Sequence, residues 1–261
     1  MSLSIDEVAA AGAAWVWRPE DAEAVTDPQY TILRLPAYYP FRLSVVSFAP
    51  AGPLAGAVDA VLARARTLGP PVLDWQVLLG DPAGLEAELV ARGGRLKIGL
   101  EILAADLSGG APELRPPEAD VRLSWATDPA TARDAAVVEV TGFGGELPPA
   151  ARIERAAARG AADVPAGRGG RLVAHLDGEP VGTGGVQLVD GVARFTGGVV
   201  VPAHRGRGVY RALLAARLSY AVAHGARMAL VKGNPTTSGP ILQQAGFTVH
   251  GQEPVYAVTL S

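Results

Sequence analysis

Residues 199–214, VVVPAHRGRGVYRALL, set a β-branched run, a proline, arginines alternating with glycines and an Ala/Leu-rich run side by side. The pattern predicts a buried strand that stops at Pro202, a tight basic loop, and a helix opening near Val209. Glycines beside a helix start let several main-chain N–H groups converge, and the helix end adds partial positive charge, so the natural guest is an anion such as phosphate. The loop lacks the GK[ST] ending that holds β- and γ-phosphates with Mg²⁺, and no spaced acidic pair lies nearby, which disfavours chemistry on a nucleoside triphosphate.

Other chemistries are narrowed by what the chain does not contain. It has no cysteine, which removes thiol nucleophiles, disulfides and thiolate metal sites. Its four histidines, His175, His204, His224 and His250, show no ligand spacing, so no metal is expected. A formal charge of −3 with basic residues spread along the chain gives no footprint for nucleic acid. Asp6 and Glu7 stand where a secretory leader would be basic, and no apolar run reaches the length of a membrane span. The expectation is a soluble, cytoplasmic protein with no membrane partner. Apolar residues make up 49% of the chain and charged residues 19%, a balance that suits packed domains.

The 261 residues are comfortable for two domains. DLSGGAPELRPPEAD, residues 106–120, has the composition of a linker and puts the boundary between 116 and 117. Beyond it, DVRLSWA reads as a strand and PATARDAAVVEVTGF as a helix running into the glycine-rich loop GFGGELPP, followed by a helix over 149–160. RLVAHLD and PVGTGGVQLV flank Gly178 as a hairpin, and ARFTGGVVV is the strand before the basic loop. RMALVKG, SGPILQQAG and PVYAVTL complete the order as strand, helix and strand. The fold class is α/β in the broad α+β sense, a mixed and mostly antiparallel sheet flanked by helices, in two tandem domains.

The halves share a skeleton. Gly80-Asp81-Pro82 and Gly233-Asn234-Pro235, Leu89 and Leu242, Gly93 and Gly246, and Leu107 and Leu260 all stand 153 residues apart. Tandem copies of one fold are expected. The first half's counterpart of the basic loop, SFAPAGPLAGAV, has no arginine, and Pro50 and Pro53 remove two N–H groups where donors would be needed. Pro53 reads as the first residue of a helix. Residues 1–116 are therefore expected to lack a phosphate site and to serve packing, homodimerisation or enclosure of substrate.

The second half resembles the GNAT (GCN5-related) N-acetyltransferases over nearly all of residues 119–261. Their signature is an RxxGxG/A loop after the fourth strand, preceded by VxPxxR; VVPAHRGRGVY supplies Val200, Pro202, Arg205 and Gly208. NPTTSGPILQQAGF is similar to the family's Asn-containing loop and short helix, from Asn234 to Gly246-Phe247. The resemblance implies acetyl-CoA as co-substrate. Its pyrophosphate would lie on the N–H groups of Arg205, Gly206, Arg207, Gly208, Val209 and Tyr210, with Arg205, Arg207 and Arg211 assisting electrostatically. Gly198, Val199 and Val200 would hold the pantetheine arm through backbone atoms and polarise the thioester carbonyl, and Asn234 would meet CoA from the next loop.

The implied activity is transfer of acetyl to a primary amine on a small molecule, peptide or protein, by direct attack in a ternary complex. The alternative is a non-catalytic acyl-CoA-binding module. Tyr210 stands where the signature has Gly or Ala, Leu242 where the family has its catalytic tyrosine, and ARFTGGVVV offers no glutamate as a base. Candidates to supply the missing proton transfer are Glu146 in the glycine-rich loop, Tyr256 on the last strand, and Ser238, which also reads as a helix N-cap.

Overall fold

The computed structural model describes residues 3–14, 16–116 and 120–260; the boundary drawn at 117 lies outside them. The first half runs α1 (Ile5–Ala13), β1 (Glu23–Asp27), β2 (Tyr30–Arg34), β3 (Leu43–Phe48), α2 (Leu54–Arg66), β4 (Val72–Gln76), α3 (Leu85–Ala91) and β5 (Arg95–Asp106). The second runs β6 (Arg122–Trp125), α4 (Pro129–Phe143), α5 (Ala150–Asp163), β7 (Gly169–Leu176), β8 (Glu179–Val189), β9 (Val192–Val200), a 3₁₀ turn at Pro202–His204, α6 (Val209–Ala223), β10 (Met228–Gly233), α7 (Ser238–Gln244) and β11 (Thr248–Thr259).

Local chemistry sets several of these boundaries. Asp128 caps α4 by accepting from the N–H groups of Ala130 and Thr131, and Pro129 occupies the first turn, where no N–H is needed. Asp177 and Gly178, with φ of 52° and 85°, make the tight turn whose twist suits the β7–β8 hairpin. Helix α2 begins at Leu54, so Pro53 is its N-cap rather than its first residue.

The chain forms two compact units. One comprises Ser4–Ile102, Gly233–Thr237 and His250–Ser261; the other is chiefly Leu103–Lys232 and Ser238–Val249. In the first, β1, β2, β3, β4 and β11 are successive neighbours, with β3 and β4 parallel and the other defined pairings antiparallel. In the second, β10, β9, β8, β7 and β6 follow one another, with β10 and β9 parallel and the rest antiparallel.

A single cut between 116 and 117 does not reproduce this division, because each half's closing strand contributes to the other half's unit. Tyr256 and Val258 of β11 belong to the core built on Trp75, Leu73, Val61 and Leu89, and the Leu260 N–H donates to the Pro71 carbonyl at 2.8 Å. Reciprocally, Leu103, Ala105 and Leu107 pack with Phe195, Leu214, Leu218 and Leu242, and the Leu107 N–H donates to the Arg227 carbonyl at 2.8 Å. Only in their last residues do the closing strands carry alike apolar runs, Ile102-Leu103-Ala104-Ala105 and Val255-Tyr256-Ala257-Val258.

The repeat expected from the sequence extends to the elements. The bounds of α7 and β11 are those of α3 and β5 displaced by 153 residues. Both short helices end alike: Gly94 donates to the Leu89 carbonyl and Phe247 to the Leu242 carbonyl, at 2.8 and 3.1 Å, across glycines with φ of 81° at Gly93 and 87° at Gly246. A left-handed residue after a helix satisfies its last carbonyls, and glycine takes that conformation without steric cost. Among the described residues no helix is long and apolar enough to cross a membrane.

Candidate active site

The parallel pairing of β9 with β10 runs from Val192↔Met228 to Phe195↔Val231 and ends there, although β9 continues to Val200. The divergence has a local cause. Gly197 sits at φ 54°, and the β8–β9 register shifts between Thr183 and Gly185. A bulge of this kind bends its strand and takes it out of line with the neighbour. Beyond Phe195 the β9 edge, including Gly198, Val199 and Val200, thus lies outside the β10 ladder.

The basic loop follows directly. Gly206 and Gly208 both take left-handed φ, 79° and 81°, which an L side chain adopts only at a cost. Gly208 is the N-cap of α6, and the first bond of that helix runs from the Ala212 N–H to the Gly208 carbonyl at 3.0 Å. The N–H groups of Val209, Tyr210 and Arg211 belong to the first turn, where a helix supplies no acceptor. A diphosphate suits such a cradle of main-chain donors at a helix start. A Cβ built on Gly206 meets no atom within 4 Å, so the loop is open at that point.

The arginines are disposed unequally. Arg205 Nε donates to the Val200 carbonyl at 3.2 Å and so fastens the end of β9. Arg207 Nη1 lies 3.2 Å from His204 Nδ1, while Arg211 is half-buried on the first turn of α6.

Tyr210 does not block the loop. Its ring turns into the layer between α6 and the sheet, where two glycines make room. A Cβ on Gly198 would come within 3.1 Å of its Cε2 and 3.4 Å of its Oη, and a Cβ on Gly184 within 3.0 Å of Arg217 Cζ. Arg217 is 1% exposed, and its guanidinium lies 4.8 Å from the Phe195 ring and 5.8 Å from that of Tyr210. Burial pushes the Arg217 pKa down, and the Tyr210 phenol, by charge interaction and hydrogen bonding, works in the opposite direction.

Along the opposite side of β8 and β9 the structure brings in two charges that sequence reading missed. Arg171 Nη1 of β7 and Glu139 Oε1 of α4 are 2.7 Å apart, and a Cβ on Gly197 would lie 3.0 and 3.2 Å from these same atoms. No glutamate stands on β9, but one reaches its bulge from a helix. The signal is weak, because both residues stand within regular elements with no motif around them.

The other sequence candidates fall elsewhere. Tyr256 is in the core of the first half's unit, 8% exposed, and its hydroxyl donates to Glu86 Oε2 at 2.6 Å. That bond and burial raise its pKa, and its packing lies within the first half's unit. Ser238 is the first residue of α7 rather than its N-cap. Glu146 is exposed in the Gly144–Pro149 connection. Asn234 belongs to the compact unit of the first half, and its Oδ1 accepts from the N–H and hydroxyl of Thr236 at 2.9 and 2.8 Å, which closes a local turn. Leu242 is fully buried. His175 is buried and paired with Asp134, Nε2 to Oδ2 2.9 Å. The loop at 49–53 offers little to an anion: the Ala49 and Ala51 N–H groups are taken by the carbonyl and side chain of Gln29, at 2.6 and 2.9 Å.

Residues 143–238 match the Acetyltransferase (GNAT) family model. Among curated proteins none matches the chain. Solved structures do. A GCN5-related N-acetyltransferase from Kribbella flavida is 16% identical, with 99% of this chain and 96% of that one covered and a TM-score of 0.67. A GCN5-related N-acetyltransferase from Sphaerobacter thermophilus is 20% identical over 92% of this chain and 81% of that one, with a TM-score of 0.66. A tandem GNAT protein from the clavulanic acid biosynthesis pathway is 20% identical over 98% of this chain and 88% of that one, with a TM-score of 0.60. Residues 143–238 thus match the GNAT acetyltransferase model, and the chain shares its fold along nearly its whole length with GNAT structures, one of them a tandem GNAT protein.

Proposed function

We propose that the protein is an acetyl-CoA-dependent N-acetyltransferase whose second half binds the coenzyme and delivers acetyl to a primary amine in a ternary complex. The observation that carries this reading is the junction of the free β9 edge after Phe195 with the two left-handed glycines that open α6. Arg205 to Tyr210 receive the diphosphate on main-chain N–H groups, and Arg207 and Arg211 add positive charge. Gly198 to Val200 align the thioester, and a main-chain donor on its carbonyl oxygen is worth about 3 kcal/mol in such settings. The amine nitrogen forms a bond to the carbonyl carbon as the carbon–sulfur bond breaks, and the proton shed by nitrogen balances the one gained by sulfur.

Glu139, paired with Arg171 at the bulge, is the carboxylate we assign to take that proton, ahead of the exposed Glu146. Its help matters most for lysine-like amines. Shedding a proton from a group of pKa near 10.4 costs about 4.6 kcal/mol at pH 7, against about 1 kcal/mol for an α-amine near 7.7.

The loop at 49–53, with two prolines and its neighbouring N–H groups engaged by Gln29, supports the reading of residues 1–116 as a copy that has lost its acyl-CoA loop. A non-catalytic acyl-CoA-binding module is the second reading, favoured by the fully buried Leu242 at the place of the family's tyrosine. Calorimetry with acetyl-CoA combined with CoA release across a panel of amines tests both. Binding with turnover supports the enzyme, binding without turnover supports the module, and absence of binding rejects both.

A further inference from the structure

Arg171, Gly185 and Thr196 lie side by side across β7, β8 and β9, Arg171 opposite Gly185 and Gly185 opposite Thr196. Residues directly opposite one another share one face of a sheet. The missing side chain in the middle lets its neighbours converge: a Cβ on Gly185 would lie 2.7 Å from Thr196 Oγ1 and 3.3 Å from Arg171 Nη2. Gly197 makes the same allowance for Arg171 and Glu139. A guanidinium, a hydroxyl and a carboxylate thus meet over two glycines at the bulge.

The ion pair among them is incompletely made. Arg171 Nη1 lies 2.7 Å from Glu139 Oε1, yet without an aligned N–H, and the atom is buried with no hydrogen-bond partner. Arg168, by contrast, donates from Nε to Asp163 Oδ1 at 2.8 Å. The side chains of Arg171 and Glu139 are 29% and 36% exposed, and a pair this open adds little stability. What Arg171 offers is a planar fork of donors, the shape that receives a carboxylate through two parallel bonds.

The surroundings are those of the acceptor. Thr196 and Gly197 immediately precede the Gly198–Val200 stretch that aligns the thioester in the reaction proposed above. Gly142 follows Glu139 by three residues on α4, hence on the same helix face, and it packs so closely on Val199 that any side chain there would collide with Cγ2. An α-amino acid carries its amine and its carboxylate on one carbon, so its two charges are held about 3 Å apart, close to the spacing of the two charges it would meet.

We propose that the acceptor is a free amino acid, its carboxylate held by Arg171 and the Thr196 hydroxyl and its amine facing Glu139. This deepens the acyl-transfer reading above and rests on it. Peptide N-termini and simple amines, which lack the adjacent carboxylate, are poorer acceptors.

Glycine, leucine, glutamate and lysine, each beside its α-carboxamide, test this by CoA release and by calorimetry on protein saturated with CoA. Each amide has the less basic amine and so the larger neutral fraction, and a preference for the free acid therefore reports recognition of the carboxylate. For at least one pair the acid is expected to bind at least tenfold more tightly and to show a correspondingly higher kcat/KM, chiefly through KM, the effect of hydrogen bonds to a charged group. Arg171→Gln, with native circular dichroism, should erase that preference while acetyl-CoA affinity and turnover of the amide stay within about threefold of the wild type. Arg171→Lys, which keeps the charge without the fork, should recover part of it. Amides bound and acetylated as well as the acids by the wild type, or acid and amide lost alike in Arg171→Gln, would overturn the inference, as would turnover confined to other amines. Absence of turnover with every amine would overturn the acyl-transfer reading itself.

Discussion

Phe195 and Val231 are the last partners in the parallel ladder between β9 and β10. Five more residues of β9 follow, through the left-handed Gly197 to Val200, and then the chain turns into the glycine loop. The free strand edge and the anion cradle are therefore consecutive along one short run of chain, which lets a single extended ligand engage both by backbone atoms.

Gly208 is the residue on which the cradle turns. At φ 81° as N-cap of α6, a side chain costs about 1–2 kcal/mol, and a β-branched one also crowds the N–H groups of the first turn. Gly208→Val is expected to weaken acetyl-CoA binding at least tenfold, ~1.4 kcal/mol or more, while the protein still unfolds cooperatively. Calorimetry and a thermal melt check this, and wild-type affinity in the variant would remove the loop from the binding site.

Glu139 and Arg171 make a different demand. If the carboxylate serves the acceptor and not the coenzyme, Glu139→Gln lowers turnover about 100-fold and leaves acetyl-CoA affinity where it was. The loss should be steeper for amines of high pKa than for α-amines, since the latter need less help in reaching the neutral form. Equal losses across the amine panel would point to a structural role at the bulge.

Much of this was legible locally and some of it was not. The basic loop, the start of α6 at Val209 and the whole of α4 follow from caps, prolines and glycines, which act within a few residues. The inward turn of Tyr210 depends on Gly184 and Gly198, positions on two strands whose missing side chains have no meaning until α6 lies over them. Glu139 and Arg171 meet only because α4 and β7 both flank the bulge. Tyr256 packs in the first half's unit for a topological reason. The β4 partners of its strand lie about 180 residues back along the chain, and the apolar run Val255–Val258 does not itself tell which core it will complete.

Tyr256 supplies a prediction of that point. Its hydroxyl bonds Glu86 within the first half's unit, so Tyr256→Phe should cost about 1 kcal/mol of stability and leave turnover unchanged. A denaturant titration beside a CoA-release assay separates these quantities. A loss of turnover without a loss of stability would return Tyr256 to the list of catalytic groups.

Asp81 stands at the position equivalent to Asn234 in the repeat and accepts the Leu78 N–H at 2.8 Å. Burial, with repulsion from Glu253 as a lesser contribution, raises its pKa from 3.8 to about 6, while the Leu78 bond opposes the rise. The folded protein thus holds this proton more tightly than the unfolded chain, and stability falls as pH rises from about 4 to about 6, then levels off. Asp81→Asn keeps the acceptor without the charge. It should abolish this fall and stabilise the protein near neutral pH by about 1 kcal/mol once solvent screening of a partly exposed group is allowed for. Urea titrations of both proteins across that pH range provide the check, and parallel profiles would show that Asp81 does not carry the effect.

The exchange of closing strands makes the strongest demand on the chain as a whole. A fragment ending at residue 116 keeps β4 but loses β11, whose Val255, Tyr256 and Val258 pair with Gln76, Trp75 and Leu73 and whose Tyr256 and Val258 help close its core. It exposes a sheet edge and a fully buried tryptophan's surroundings at once, two routes to aggregation. The fragment should therefore show no cooperative thermal transition, although it contains every other element of its half. Joining residues 246–261 to it through a flexible glycine-serine linker should restore the transition, because the added segment supplies the missing ladder and apolar side chains. A cooperative melt from residues 1–116 alone would mean that β5 can turn back to complete its own half, and that the exchange seen in the full chain is a choice between two strands of nearly equal fit.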